Sequence, residues 1–249
     1  MSSHRFFVNK IADNKAQIQG EDYNHIISVL RLKQGDAVNI FNFEHGEYTA
    51  VIGSIDRAGK IIGLTVQEKI RDRENNSARI SAALAVIKKE NMELALEKLT
   101  EIGIDIIIPV VTKRTVVRIK EEEKKQKRWE KIIYEAVKQS GRISRPVIQP
   151  VLNSVEELAE RAGPGLKLLV WEKEEKNFLI DAAIRAQGEK EILFFTGPEG
   201  GFEQSEVVYL MDHGFVPVSM GDTTLRAETA AILAGGVITQ ALRRGKWKI

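Results

Sequence analysis

The sequence predicts an α/β protein, with a mainly parallel sheet and its helices preceded by a small N-terminal β-barrel. Three observations carry that reading. Short alternating apolar runs with close turn signals fill the first seventy residues, and strand and helix patterns alternate from Ala78 onward. Two glycine-bearing segments, Gly197-Pro-Glu-Gly-Gly-Phe202 and Ser219-Met-Gly-Asp-Thr-Thr-Leu-Arg-Ala-Glu-Thr229, then sit where strands stop. Period-two alternation marks half-buried strands, and strands alternating with helices mark a parallel sheet.

Arg5–Val8, Ala37–Phe41, Tyr48–Ile52 and Ile61–Val66 read as the barrel strands, parted by turn signals at Gly35-Asp36, His45-Gly46 and Ala58-Gly59. His25–Arg31 interrupts them as a short helix. The polar stretch Arg71–Ser77 reads as a linker, so the predicted domains are residues 1–72 and 73–249. Beyond it, Arg79–Ile87 is a strand and Asn91–Ile102 a helix, with Asn91 as N-cap, Glu93 in the first turn and Gly103 at C′. Asp105–Val111 is the next strand. Trp129, Ile132, Ile133, Ala136 and Val137 recur at helical spacing and mark a buried stripe. Strand Leu166–Trp171, helix Phe178–Ala186, strand Glu191–Phe195 and a helix ending before Gly214 continue the alternation. The last helix is built of small and aliphatic residues, among them Ala227, Ala230, Ala231, Ala234, Gly235 and Ile238. Its two mid-helix glycines, Gly235 and Gly236, cost about 1 kcal/mol each against alanine, and close approach of another backbone is expected to compensate.

Composition bounds the function. No apolar run approaches the roughly 20 residues that span a bilayer, and the N-terminus lacks the apolar stretch of a signal peptide. Zero cysteines exclude disulfides, thiolate metal sites and cysteine nucleophiles. The four histidines are scattered singly, without metal-ligand spacing. A cytoplasmic protein with neither metal nor membrane partner is the expectation. Net charge is +2 but uneven: residues 71–150 carry 18 basic against 12 acidic side chains, and residues 151–249 carry 11 against 15. The basic middle suits either a polyanion or a solvated helical face.

Ligands of open parallel sheets sit beyond the carboxyl ends of strands, where both glycine loops are expected. Gly197, Gly200 and Gly201 let a ligand reach main-chain amides, and Pro198 stiffens the loop. Neither loop has the Gly-x-x-x-x-Gly-Lys pattern of a phosphate cradle. On the glycines alone, a tight strand-to-helix turn and a ligand cradle both remain. Arg226 at the mouth of the last helix is a candidate substrate clamp, and Glu228 by itself is an ordinary first-turn partner of the helix dipole. Glu135, Gln139 and Arg142 are expected on one helix face, solvated or functional. Arg142 and Arg145, just beyond the helix, are placed to meet phosphate, and Lys113-Arg114 follow a strand end.

Gly197–Phe202, followed by Gly221 and Leu225-Arg-Ala-Glu-Thr-Ala230, resembles the signature of the bacterial 16S rRNA uridine-N3 methyltransferases, of the SPOUT class of S-adenosylmethionine enzymes. His25 with Val29-Leu-Arg31, Lys98 with Glu101-Ile-Gly103, Arg128-Trp129 with Ile132, and Gln139-Ser140 with Arg142 and Pro146 extend the resemblance over nearly the whole chain. Departures fall at Met220, Asp222–Thr224, Ala227 and Lys138; the glycines, Arg226 and Glu228 are kept. The resemblance implies a SPOUT-type α/β domain with a deep trefoil knot, a PUA-like barrel that docks RNA, and a homodimer with its pocket near the subunit interface. It implies S-adenosylmethionine held by Trp171, Glu172, Thr196, Gly197, Pro198, Glu199, Gly200, Gly201, Ser219, Met220, Gly221, Thr224, Leu225 and Arg226. Catalysis would fall to Arg226 with Glu228 or Glu199. The implied partner is 16S rRNA within the small ribosomal subunit, gripped by Arg5, Arg31, Arg114, Gln139, Arg142 and Arg145. Ribose 2′-O-methylation by the same class, and a non-catalytic RNA-binding module, are the alternatives.

Overall fold

Alternating burial organises the N-terminal part of the chain. The computed structural model describes residues 4–72, 78–117 and 121–243, so positions 73–77 of the expected linker lie outside the described residues. Strands β1 (Arg5–Phe7) and β2 (Lys15–Ile18), the short helix α1 (Glu21–Asn24) and a π-helical segment His25–Leu30 come first. Strands β3 (Ala37–Asn42), β4 (Gly46–Asp56) and β5 (Ile61–Arg71) follow. They form one five-stranded sheet, ordered β1-β3-β4-β5-β2, antiparallel except where β1 runs parallel to β3. Val38, Ile40, Ala50, Ile52, Ile62 and Leu64 all point inward and share a single core with Phe6 and Ile18 from the two edge strands and with Ile26. The turns fall at the expected signals. Asn42 Oδ1 accepts from Glu44 N (2.8 Å) ahead of Gly46, and Asp56 Oδ1 accepts from Ala58 N (3.0 Å) and Gly59 N (3.1 Å). The segment His25–Leu30 is π- rather than α-helical, and Arg31 stops it in the left-handed conformation at φ 56°.

Contacts divide the chain into two units, residues 1–75 with 137–144, and 76–136 with 145–249. Arg5 explains why the short second segment goes with the first unit. Its guanidinium pairs with Glu47 (3.0 Å), lies 3.6 Å over the Phe41 ring and donates to Arg142 O (2.6 Å). Arg71 closes the other side of Glu47 (2.7 Å), and Lys138 pairs with Asp22 (2.9 Å).

The second unit alternates strands and helices as expected. Its elements are β6 (Arg79–Ala85), α2 (Lys89–Ile102), β7 (Ile106–Val110), α3 (Glu122–Ser140, whose last residues go with the first unit), β8 (Val147–Ile148), α4 (Val155–Arg161), β9 (Leu166–Val170), α5 (Leu179–Arg185), β10 (Glu191–Thr196), α6 (Gln204–Asp212), β11 (Phe215–Val218) and α7 (Ala227–Leu242). All six strands are parallel, in the order β11-β9-β10-β6-β7-β8. Strands β6, β9 and β10 are apolar almost throughout, as a parallel sheet covered on both faces requires. One face packs Leu169, Leu193 and Phe195 with Leu158 of α4 and Val207 and Leu210 of α6. On the other, α7 lies against β6 and β10, flanked by α2 and α5.

Two expectations change. Helix α2 starts at Lys89 with Lys88 as its N-cap, two residues before Asn91, so Glu93 lies beyond the first turn. There its carboxylate hydrogen-bonds the Arg128 guanidinium (Arg128 Nη2 to Oε2, 2.7 Å), which holds it below the usual carboxylate value. Gly103 ends the helix in the left-handed conformation, as expected. The other change concerns Gly235, which is needed for side chains rather than a backbone: a Cβ there would sit 2.7 Å from Leu99 Cδ2 and 3.6 Å from the Phe194 ring. Nothing lies within 4 Å of the equivalent point on Gly236. Among the described residues, no helix is long and apolar enough to cross a membrane.

Candidate active site

Parallel strands that all end on one side leave a crevice beyond their carboxyl ends. Here a cleft of about 550 Å³ opens over the ends of the neighbouring strands β11, β9, β10 and β6. Its walls are Lys88 and Asn91 after β6, Val170–Glu172 at the end of β9, Thr196–Glu199 and Gly201 after β10, and Ser219–Glu228 with Ala230 after β11. A second cavity of about 330 Å³, bordered by Arg79, Gln149, Arg161 and Lys167, lies at the strands' amino ends and takes nothing from either glycine loop. The position of the first cleft, and not size alone, marks it as the candidate site.

The first loop is bent so that the end of β9 can approach it. Gly201 takes φ 68° and donates to Pro198 O (2.9 Å), and a Cβ on it would come within 2.5 Å of Glu172 Oε1. Another residue there would be strained at that φ and would displace the Glu172 carboxylate. Arg114 braces the loop from outside, donating to Gly200 O (2.9 Å) and Glu203 Oε1 (2.8 Å). The Arg114 hydrogen bond holds the Glu203 carboxyl below its ordinary value. Glu199 is exposed on the cleft rim, its Oε1 accepting from Lys88 N (3.2 Å).

The second loop is pinned where it leaves β11, Ser219 N donating to Asn177 O (2.8 Å) and Leu179 N to Ser219 O (2.9 Å). Gly221 then turns at φ 110°. Helix α7 begins with Arg226 as its N-cap and no side chain capping its first turn, so its leading amides are open to a ligand. Arg226 is exposed, and its side chain makes no hydrogen bond or ion pair among the described residues. Glu228, in the first turn, is 5% exposed, and its Oε2 is buried without a hydrogen-bond partner, as is Trp171 Nε1. Leaving such groups unpaired costs about 1–3 kcal/mol each. Both residues line the cleft, from different walls, and a polar ligand bound there could satisfy them.

The cleft therefore gathers Arg226, Glu228 and Glu199, together with thirteen of the fourteen residues expected to hold a cofactor. Gly200 is the exception, since it faces the Arg114 side chain. The residues expected to grip RNA differ in exposure and in partners. Arg31, Gln139 and Arg145 are exposed, and Arg114 is exposed but bound to the first loop. Arg5 is occupied by Glu47, Phe41 and main-chain carbonyls, and Arg142 is 5% exposed, with Nη2 on Ser144 Oγ (2.9 Å). Arg142 also lies past the end of α3, beyond the turn at Gly141 (φ 71°), and so leaves the helix face expected for Glu135 and Gln139. Lys88 and Asn91 line the cleft without having been expected. The strand-end rule that singled out the glycine loops applies equally after Ile87, and would have found them.

These features define a class before they define a family: residues 73–239 match the family model described as an RNA methyltransferase domain, and residues 18–63 match an RNA methyltransferase PUA domain. Among curated relatives, the ribosomal RNA small subunit methyltransferase E of Rickettsia conorii is 31% identical over 239 residues, covering 94% of each chain. That of Bacillus subtilis is 31% identical, covering 89% of this chain and 88% of its own. A methyltransferase of Legionella pneumophila, solved in complex with bound SAM, is 29% identical with a TM-score of 0.83, over 97% of this chain and 98% of its own. The chain belongs to the ribosomal RNA small subunit methyltransferase E family of RNA methyltransferases.

Proposed function

We propose that this chain methylates N3 of one uridine in the 16S rRNA of the small ribosomal subunit, with S-adenosylmethionine as donor. The observation that carries the reading is the single cleft bounded by both glycine loops and the uncapped start of α7. About 550 Å³ suits a ligand of nucleoside size. The lining has four carboxylates (Glu172, Glu199, Asp222, Glu228) against two cations (Lys88, Arg226), which favours a cationic ligand although the chain as a whole is at +2. The names of the relatives, and the SAM bound to the Legionella methyltransferase, support donor and RNA class alike.

When bound, S-adenosylmethionine supplies a methyl group already activated on a sulfonium. The protein's part is alignment and proton removal. Main-chain groups of Thr196–Gly201 and Ser219–Arg226 orient the donor, with Trp171 and Glu172 as the third wall. In the transfer, Glu199 on the rim would accept the N3 proton, and Arg226 would steady the charge of the uracil imide. N3 lies on the Watson–Crick edge, so the uridine must be unpaired or extruded to be reached. The same reading brings a homodimer, a knotted α/β domain over residues 73–249, and a barrel over 1–72 that docks RNA; Arg31 belongs to the barrel, and Gln139 and Arg145 are further exposed contacts outside it.

Labelled S-adenosylmethionine and unmodified small subunits test this directly. The expected product is N3-methyluridine at one site, missing from rRNA of a strain that lacks the gene. Label recovered only on ribose 2′-oxygen would overturn the chemistry, and absence of transfer would overturn the activity.

A further inference from the structure

The four carboxylates of the cleft are not equivalent. Glu172, Glu199 and Asp222 are exposed, so water and salt weaken their fields, and Glu199 already accepts a main-chain hydrogen bond. Glu228 is 5% exposed and has no hydrogen-bond or ion-pair partner among the described residues. Arg226, two residues ahead, is exposed and forms no ion pair with it. The first turn of α7 favours a negative charge at this position. A carboxylate buried out of water and without a counter-ion is unfavourable until a positive charge arrives.

We infer that Glu228 is the charge selector of the cleft: its buried carboxylate favours the sulfonium form of the donor over the neutral thioether left after transfer. The inference rests on the methyltransferase reading above. S-adenosylmethionine and S-adenosylhomocysteine share adenine, ribose, amino and carboxylate groups, and differ by one methyl and one positive charge. Loops that read shape through main-chain groups hold both alike. A buried carboxylate with no other partner separates them, because its attraction acts through a weakly screening surround. The role places Glu228 on the donor side of the reaction and leaves proton transfer to Glu199.

The test is a calorimetric titration of the full-length wild type, Glu228→Gln, Glu228→Ala and Glu228→Asp with each of the two ligands. The expected result is a fall of about tenfold or more in the ratio of S-adenosylmethionine to S-adenosylhomocysteine affinity for Glu228→Gln, with the thioether's own affinity little changed. Glu228→Ala removes the charge without burying an amide and gives the same fall; Glu228→Asp keeps most of the wild-type ratio. Binding of the thioether reports that each variant is folded. Equal loss for both ligands, or an unchanged ratio, overturns the inference and leaves the methyltransferase reading standing. A wild type that binds neither ligand overturns both.

Discussion

Arg226 at the head of α7 and Glu93 within α2 illustrate how differently two charged residues are used. Arg226 is exposed at the head of α7 with its side chain uncommitted, and no part of the fold depends on it. Arg226→Ala is therefore expected to cut turnover by about a hundredfold or more, on the scale of losing one group that stabilises charge in a transition state. Its affinity for the donor, measured by calorimetry, should stay within a few-fold. Glu93 is committed to Arg128, and that hydrogen bond lowers its pKa. A group with a lowered folded-state pKa contributes stability above its unfolded value and loses it as pH falls through the folded one. The stability gap between wild type and Glu93→Gln, read from urea midpoints, should thus be fully present at pH 7 and shrink as pH falls below the ordinary carboxylate value. Sequence reasoning put Arg226 at the mouth of the site because strand, loop and helix signals all converged there. The family resemblance put Arg5 and Arg142 on the RNA side, and a resemblance says nothing about burial. Arg5 turned inward because Glu47, 42 residues away in sequence, supplies a buried counter-charge that no local pattern reveals.

Among the elements, β3 to β7, α2, β9, β10 and the small-residue α7 were legible, being long or strongly periodic. Strand β2 was not: Lys15–Ile18 alternates correctly but offers only four residues, and it is fixed by pairing with β5 rather than by its own pattern. Strand β8 has two residues, and α4 has seven, too few to show a helical period. The two glycines of α7 separate packing from propensity. Gly235→Ala should destabilise by about 1–2 kcal/mol even though alanine is the better helix former, because its methyl would press on the buried Leu99. Gly236→Ala, with open space around it, should stabilise by about 0.5–1 kcal/mol. Thermal melts of the two single variants, shifted in opposite directions, would check both.

At the scale of the whole chain, one sheet edge gathers ligand chemistry from four strands and the helix that follows them, so binding and folding are linked. Donor at a hundred times its dissociation constant should raise the unfolding free energy by about 2.7 kcal/mol, read as a higher melting temperature. The far end of α7 is as well fixed as its head. Arg243 is buried there and donates to Gly103 O (2.7 Å), Ala78 O (3.3 Å) and Asp105 Oδ2 (2.8 Å). Removing one partner of a buried pair costs about 3–5 kcal/mol, and Arg243→Ala should fall in that range by chemical denaturation. The buried face of α7 holds it along its length, and the Arg243 grip adds a polar anchor about 24 Å from the head of the sixteen-residue helix. Arg243 thus works as an alignment key: by helping to set the azimuth of α7 at the tail, it helps to set the direction in which Arg226 and Glu228 present themselves at the head. A chain cut just ahead of Arg243 would keep every residue of the cleft and still lose that anchor.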